Sequence, residues 1–182
     1  MSAENCNDVR LLVMCTNFAA EKHKTQRRKN VDKTPYINHP IGVANILSEA
    51  GISDVNILCA ALLHDTVEDT DTTLEELEKE FGPVIAKIVA EVTDDMSLPS
   101  AERKILQVQH ARACSHEAKL VKLADKLYNM RDLTKEKPEN WTDERISAYY
   151  LWSKQVIDEI RGTNPIIEKQ LDEIFRREGL IS

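Results

Sequence analysis

An apolar run that ends in a cluster of imidazole and carboxylate groups constrains this chain more than any other stretch. Residues 57–63 are all apolar, and they are followed closely by His64, Asp65, Glu68 and Asp69. With about 3.6 residues per helical turn, Glu68 is predicted to lie over His64. The same spacing predicts that Asp69 lies over Asp65. Crowded carboxylates repel one another unless a positive charge lies between them, so the stretch predicts a bound divalent cation.

Two ligands, His64 and Asp65, do not hold an ion by themselves, so other parts of the chain must contribute. The candidates are His39, which precedes a proline, and Asp125, a lone acid in an apolar helical stretch. A dry, unpaired carboxylate there would cost several kcal/mol. The residues alone also allow plainer roles, with His39 as a helix cap or core group and Asp125 solvated or paired with an arginine. A mixed imidazole and carboxylate set suits Mn²⁺, Fe²⁺ or Mg²⁺, and Zn²⁺ stays open.

Helical periodicity recurs along the whole chain, and no strand-like alternation persists, so the predicted class is all-α. The first helix is expected from Val9 to about Lys24, with Asn7 or Asp8 as its cap. Further helix starts are expected near residues 39, 54, 73, 83, 101, 115, 142 and 165. We expect one domain over residues 1–182, with its core motifs in residues 34–130, built as a bundle of about eight to ten helices.

Composition limits the kinds of partner and the compartment. The net charge of −7 argues against nucleic acid as a general partner. No run approaches the roughly 20 apolar residues that span a bilayer, and residues 1–6 do not resemble a signal peptide. The sequence contains no Cys-x-x-Cys spacing, so its cysteines are expected to be free thiols in a reducing, cytoplasmic environment. These cysteines are Cys6, Cys15, Cys59 and Cys114.

A basic segment stands out against the acidic whole. Six cations fall within twelve residues: Lys22, Lys24, Arg27, Arg28, Lys29 and Lys33. This basic island precedes His39 in the sequence. It can be a solvated loop, a partner site or a pocket for an anionic ligand, and the spacing alone does not decide among these.

Four segments carry a family resemblance: residues 34–41, 61–70, 91–95 and 119–129. They resemble the HD superfamily of metal-dependent phosphohydrolases. Within it, they are similar to the hydrolase half of the bacterial RelA/SpoT enzymes and to the stand-alone metazoan SpoT homologues. The segments follow one another in the family's order without a large insertion. The resemblance implies a single all-helical HD domain.

The resemblance also implies an activity. Such hydrolases use Mn²⁺ to remove the 3′-pyrophosphate from guanosine 3′,5′-bis(diphosphate), ppGpp, giving GDP and pyrophosphate, and a starvation-response role is then expected. The synthetase and regulatory domains of the long bacterial enzymes have no room in this chain, so it is expected to degrade the nucleotide and not to make it. The implied metal ligands are His39, His64, Asp65 and Asp125.

The resemblance assigns catalysis to Glu68 and Asp69, which can orient water or transfer protons. From the residues alone, these acids can equally cap a helix end or face solvent. Which of the two transfers the proton stays open.

The resemblance names substrate-binding residues as well. Arg28 and Lys29 match the family's basic pair, and Asn129 matches an asparagine near the ribose. Tyr128 is expected to line the nucleoside pocket or to pack in the helix bundle.

One departure concerns a phosphate contact. Met96 stands where the family often has lysine. Arg103 or Lys104 is expected to compensate if that lysine touches phosphate.

Three other functions remain open at this stage. The first is a phosphatase that acts on NADPH and gives NADH and phosphate. The second is a helical module that binds a nucleotide without turnover, and the third is a structural protein whose histidines and acids are core caps. The expected partner is a small phosphorylated nucleotide, without nucleic acid or membrane, and the oligomeric state is left open.

Overall fold

The described part of the chain is helical throughout. The computed structural model describes residues 3–182, with side chains from residue 7 onward. Within that range, β pairing is limited to one isolated antiparallel bridge between Arg27 and Pro35. The predicted all-α class is therefore confirmed. The helices are α1 (Ala3–Lys22), α2 (Asn38–Glu49), α3 (Val55–Leu63), α4 (Thr66–Asp69), α5 (Leu74–Phe81), α6 (Pro83–Val92), α7 (Ser100–Ala111), α8 (His116–Lys135), α9 (Asp143–Asp158) and α10 (Pro165–Arg177).

Local sequence signals explain where several of the helices begin. The Asp54 side chain accepts a hydrogen bond from the Asn56 amide at 2.8 Å and caps α3. Hydroxyl groups cap three further helices in the same way, because each satisfies an amide that has no partner within its helix. These caps are Thr73 of α5, Ser115 of α8 and Thr142 of α9. All four starts are confirmed.

The predicted start of the first helix was wrong. The helix α1 begins at Ala3, so Asn7 and Asp8 lie inside it and do not cap it. Residues 3–8 include neither proline nor glycine, so the local sequence does not prevent the helix from extending N-terminally past Asp8. The prediction that residues 1–6 are not a signal peptide concerns side chains that lie outside the described residues.

The apolar run of residues 57–63 forms the centre of the fold. It lies in α3, which packs against α1, α2, α6 and α8. A helix that is covered on most sides reads as continuously apolar, which explains the unbroken run. The C-terminal end of α3 consequently lies between α2 and α8.

Helix α3 does not continue through the acidic cluster as the spacing predicted. It ends at Leu63, and the separate single turn α4 begins at Thr66, directly after Asp65. At this break, side-chain groups contact backbone carbonyls near the end of α3. His64 Nδ1 lies 2.7 Å from the Ala61 carbonyl oxygen, and the Thr66 hydroxyl donates to the Leu63 carbonyl at 2.7 Å. The break turns His64 and Asp65 inward together.

Two structural observations concern the cysteines and the membrane, for which composition gave expectations. Cys15, Cys59 and Cys114 are free thiols, and the first two are buried in the core. The side chain of Cys6 lies outside the described residues. None of the described helices has the length and apolar character that crossing a membrane requires.

Candidate metal centre

Four side chains from separate parts of the chain converge at the end of α3. The Nε2 atoms of His39 and His64 are 3.2 Å apart. Asp65 Oδ2 lies 3.3 Å from the first of these atoms and 3.2 Å from the second. Asp125 Oδ1 lies 3.2 Å and 3.7 Å from the same two nitrogens. The structure therefore brings together all four predicted ligands.

The geometry of this set fits a divalent metal ion. Donor atoms that share one ion at about 2.1 Å are about 3.0 to 3.4 Å apart at octahedral or tetrahedral angles. The five separations given above lie in or near that range. The tightest set is His39, His64 and Asp125, whose ligand atoms all lie within 4.8 Å of one another, and Asp65 lies outside that set. The contact between His64 Nδ1 and the Ala61 carbonyl holds the proton on Nδ1, so Nε2 presents its lone pair to the centre. Two imidazole nitrogens that face one another so closely must share either a proton or a metal ion.

The electrostatics of the site favour a positive charge at its centre. Burial opposes the charge on Asp65, but His64 and His39 hold its pKa well below the ordinary value. Burial likewise opposes the charge on Asp125, whose pKa is held well below the ordinary value by Lys126 and the histidines. Both acids therefore stay ionised, as metal ligands must. Although burial disfavours a charged His64, the two carboxylates raise its pKa well above the ordinary value.

Neighbouring groups orient the two carboxylates. The Tyr36 hydroxyl donates to Asp65 Oδ2 at 2.7 Å, and Asn129 Nδ2 donates to Asp125 Oδ1 at 2.7 Å. Lys126 Nζ lies 3.1 Å from Asp125 Oδ2. Sequence reasoning missed the roles of Tyr36 and Lys126. A lysine in the apolar stretch beside a predicted ligand was the available signal for Lys126, whereas Tyr36 offered only its nearness to His39 in the sequence.

The predicted catalytic acids face two different spaces. Glu68 lies beside the ligands, and its Oε1 accepts a hydrogen bond from the Asp94 amide at 2.5 Å. Burial, with the neighbouring acids, raises the pKa of Glu68 to about 7 although the Asp94 amide opposes this. Asp69 faces a wider cavity, and burial raises its pKa as well. Glu68 is thus able to exchange a proton near neutral pH.

Two neighbouring cavities surround these residues. The inner one, here called the ion chamber, has a volume of about 160 Å³ and is lined by the four ligands and Glu68. The outer one, here called the cleft, has a volume of about 740 Å³. The walls of both include Arg28, Tyr36 and Asn129. The cleft is also lined by Arg27, Lys29, Lys135, Trp141 and Tyr149. The cleft and the ion chamber therefore lie next to each other, with Arg28, Tyr36 and Asn129 between them.

Comparisons with known proteins agree with this geometry. A family model of the HD domain matches residues 15–152. The chain belongs to the HD-domain family. It is 58% identical over 177 residues to the Danio rerio guanosine-3′,5′-bis(diphosphate) 3′-pyrophosphohydrolase MESH1, with 97% of this chain and 98% of the relative covered. The Homo sapiens protein of the same name is 56% identical over 170 residues, with 93% and 95% covered.

A solved structure is similar to this HD domain over nearly its whole length. It is described as a metazoan ortholog of SpoT that hydrolyzes ppGpp and plays a role in starvation responses. The TM-score is 0.92 at 53% identity, with 94% of this chain and 97% of the other covered. These matches confirm the resemblance to the metazoan SpoT homologues.

Three of the predicted substrate-binding residues of the HD domain lie at the cleft. Arg28 donates to Asn129 Oδ1 at 2.8 Å and to Asp132 Oδ2 at 3.0 Å, and Lys29 lines the same wall. Tyr128 lies apart from the linings of both cavities. Its ring packs against that of His39, with 4.9 Å between centroids. The ring also lies 5.7 Å from the guanidinium carbon of Arg28, so Tyr128 packs between helices, and its role in substrate binding stays a prediction.

The predicted compensation by Arg103 or Lys104 is not supported by their positions. Arg103 Nη1 contacts Met96 Sδ at 2.9 Å, and Lys104 Nζ lies 5.0 Å from the Trp152 ring. Neither side chain lines the ion chamber or the cleft. Helix α7 directs them toward the preceding loop and α9. The chamber instead receives its lysines, Lys122 and Lys126, from α8.

Proposed function

We propose that this protein is a metal-dependent pyrophosphohydrolase that converts ppGpp to GDP and pyrophosphate. The observation that carries the proposal is the convergence of two imidazoles and two carboxylates in a chamber that lies beside a larger cleft. The relatives bear the name of this activity and match nearly the whole chain. A cleft of about 740 Å³ is of the size that holds a small ligand.

We propose that His39, His64, Asp65 and Asp125 hold one Mn²⁺, with Fe²⁺, Zn²⁺ and Mg²⁺ as the alternatives to test. When bound, such an ion polarises a phosphoryl oxygen and lowers the pKa of water. Tyr36 and Asn129 hold the two carboxylates in place by their hydrogen bonds.

Glu68 and Asp69 are proposed to handle the protons of the reaction. Glu68 faces the ion chamber and accepts the proton of the attacking water. Asp69 faces the cleft, from which the ribose approaches, and supplies a proton to the departing ribose oxygen. This division follows from the cavity that each acid lines.

The nucleotide is proposed to lie in the cleft. Arg28 and Lys29 offer positive charge to phosphate oxygens, and Asn129 lies where the cleft meets the chamber. Trp141 and Tyr149 line the same cleft and offer aromatic faces to a base.

The test is a substrate panel on the purified protein loaded with Mn²⁺, with the product identified as phosphate or pyrophosphate. We expect ppGpp to give pyrophosphate, and NADPH is the competing substrate. Asp65→Asn should lose both bound metal and turnover. Glu68→Gln should keep the metal but lose turnover by about 10²-fold or more.

A matched control is Lys87→Met, which changes an exposed residue of α6 that lines neither cavity. It should behave as the wild type. Full activity in both Glu68→Gln and Asp69→Asn would overturn the assignment of the acids. Nucleotide binding without turnover by the wild type would favour a binding module.

We also propose that the protein acts in the cytoplasm as a single domain. Free thiols at Cys15, Cys59 and Cys114 suit a reducing compartment. Imaging of a tagged chain tests the location, and the cooperativity of unfolding tests the domain count.

A further inference from the structure

The ion chamber extends past the metal ligands, on the side away from the cleft. Helix α8 shows this because Lys122, Asp125 and Asn129 all line the chamber. Asn129 also lines the cleft, whereas Lys122 does not. Lys122 and Asn129 are seven positions apart in α8, which is about 10 Å along the helix axis. The order from the cleft inward is therefore Asn129, then the ligand Asp125, then Lys122.

Lys122 brings a positive charge to this inner end, where no acid in the described part of the chain contacts it directly. The other chamber cations are paired: Lys126 with Asp125 at 3.1 Å and Arg28 with Asp132 at 3.0 Å. Among the side chains of residues 7–182, none accepts a hydrogen bond from Lys122 or lies within ion-pairing distance of it. Lys122 is partly buried. An ammonium group in such a place is costly unless an anion meets it.

The direction of the chamber suggests which part of a substrate reaches Lys122. If the nucleoside lies in the cleft and the reacting phosphorus at the ligands, only a group beyond that phosphorus extends to the inner end. In a ribose diphosphate ester, this group is the distal phosphate. A monophosphate ester has nothing there.

We propose that Lys122 binds the distal phosphate of the substrate and thereby selects diphosphate esters over monophosphate esters. The inference rests on the proposed function and names its specificity-determining residue. In the reaction, the water oxygen bonds to the phosphorus next to the ribose, and the bond from that phosphorus to the ribose oxygen breaks. The water loses a proton and the ribose oxygen gains one. The phosphoanhydride bond stays intact, so Lys122 holds the same phosphate in the pyrophosphate product.

The primary experiment measures binding of inorganic pyrophosphate and inorganic phosphate to the Mn²⁺-loaded protein by calorimetry. Lys122→Met should weaken pyrophosphate binding by about 10- to 100-fold, the range for losing one charge-assisted hydrogen bond. It should change phosphate binding by about twofold at most. Lys87→Met should change neither.

Steady-state kinetics give the second readout. With Lys122→Met, kcat/KM should fall for ppGpp and stay near the wild-type value for the analogue that carries a 3′-monophosphate. An equal loss for both substrates, or equal weakening of phosphate and pyrophosphate, overturns the proposal. Should the wild type fail to hydrolyse ppGpp, the proposed function is wrong, and the binding experiment still decides the role of Lys122.

Folding and metal content are checked first by circular dichroism and elemental analysis. If Lys122→Met does not fold or hold Mn²⁺, Lys122→Gln and Lys122→Arg replace it. Retention of the pyrophosphate preference by the arginine variant, with loss in the glutamine variant, supports the proposal. The same preference in both variants overturns it.

Discussion

The ion site depends on which atom each ligand turns inward. His64 is fixed by its Nδ1 contact to Ala61, and the carboxylates of Asp65 and Asp125 are held by Tyr36 and Asn129. Because all three partners are groups of the protein itself, the fold turns these ligand atoms toward the centre. Glu68 lies beside these ligands, and its raised pKa can be tested by experiment.

In the metal-free protein, Glu68 should make stability depend on pH. Its pKa rises from 4.5 to about 7 on folding. The folded chain thus binds more protons than the unfolded chain between these values, and this contribution to stability is lost as pH rises through about 7. The wild type should therefore lose stability when the pH is raised from about 5 to about 8, and Glu68→Gln should not lose this part. The free energy of unfolding of Glu68→Gln minus that of the wild type should be larger at about pH 8 than at about pH 5. Urea unfolding in a chelator measures the difference.

Glu80→Gln is the control for this prediction because Glu80 is an exposed acid of α5. It removes one carboxylate without changing either cavity. A Glu68→Gln difference that does not change with pH would contradict the shifted pKa.

At the scale of elements, the close approach of α2 and α8 sets the position of His39. Gly42 permits it, since a Cβ atom there would lie 2.0 Å from Tyr128 Cε2 and 2.6 Å from Cδ2. The Tyr128 ring in turn packs against His39. The glycine is required by packing, within an otherwise ordinary helix.

Gly42→Ala should destabilise the protein by about 1 to 3 kcal/mol through overpacking, although alanine normally favours a helix by about 1 kcal/mol. It should also weaken Mn²⁺ binding, because Tyr128 must move and His39 moves with it. Thermal unfolding and metal titration measure the two effects.

A double-mutant cycle tests the cause. In a Tyr128→Ala background, Gly42→Ala should become neutral or stabilising, because the clash is gone. Equal destabilisation in both backgrounds would show that the Tyr128 contact is not the reason. Ser48→Ala, at an exposed position of α2, controls for helix propensity.

In the whole molecule, the basic island is less separated from the acidic residues than it is in the sequence. Much of the basic island is neutralised by acids from elsewhere: Lys22 by Asp71 and Glu76, and Lys33 by Glu139. Arg27, Arg28 and Lys29 line the cleft. The ends of the island are therefore ion-paired surface, whereas its middle lines the cleft, where Arg28 is also paired with Asp132.

The last helix provides a test of the single-domain proposal. Phe175 of α10 is fully buried, and α10 packs on α8, the helix that carries Asp125. Phe175→Ala should cost about 3 to 5 kcal/mol. If the chain unfolds as one unit, tryptophan fluorescence and circular dichroism should shift together to lower denaturant concentration.

Ile166→Ala is the matched control, since Ile166 lies in the same helix and is 49% exposed. It should have a small effect on both probes. Separate transitions for the two probes would indicate that α10 unfolds independently and would contradict a single domain.

The sequence by itself determined the all-α class, the family and most helix boundaries, because periodicity, caps and motifs are local signals. It also named the four residues that converge on the ion site, whose roles remain predictions. Only the tertiary structure decided how α3 breaks at His64, that Tyr128 packs on Gly42, and that Lys122 and not Arg103 or Lys104 lines the chamber. These features depend on which side chains of distant helices meet, and the spacing of residues along one helix does not contain that information.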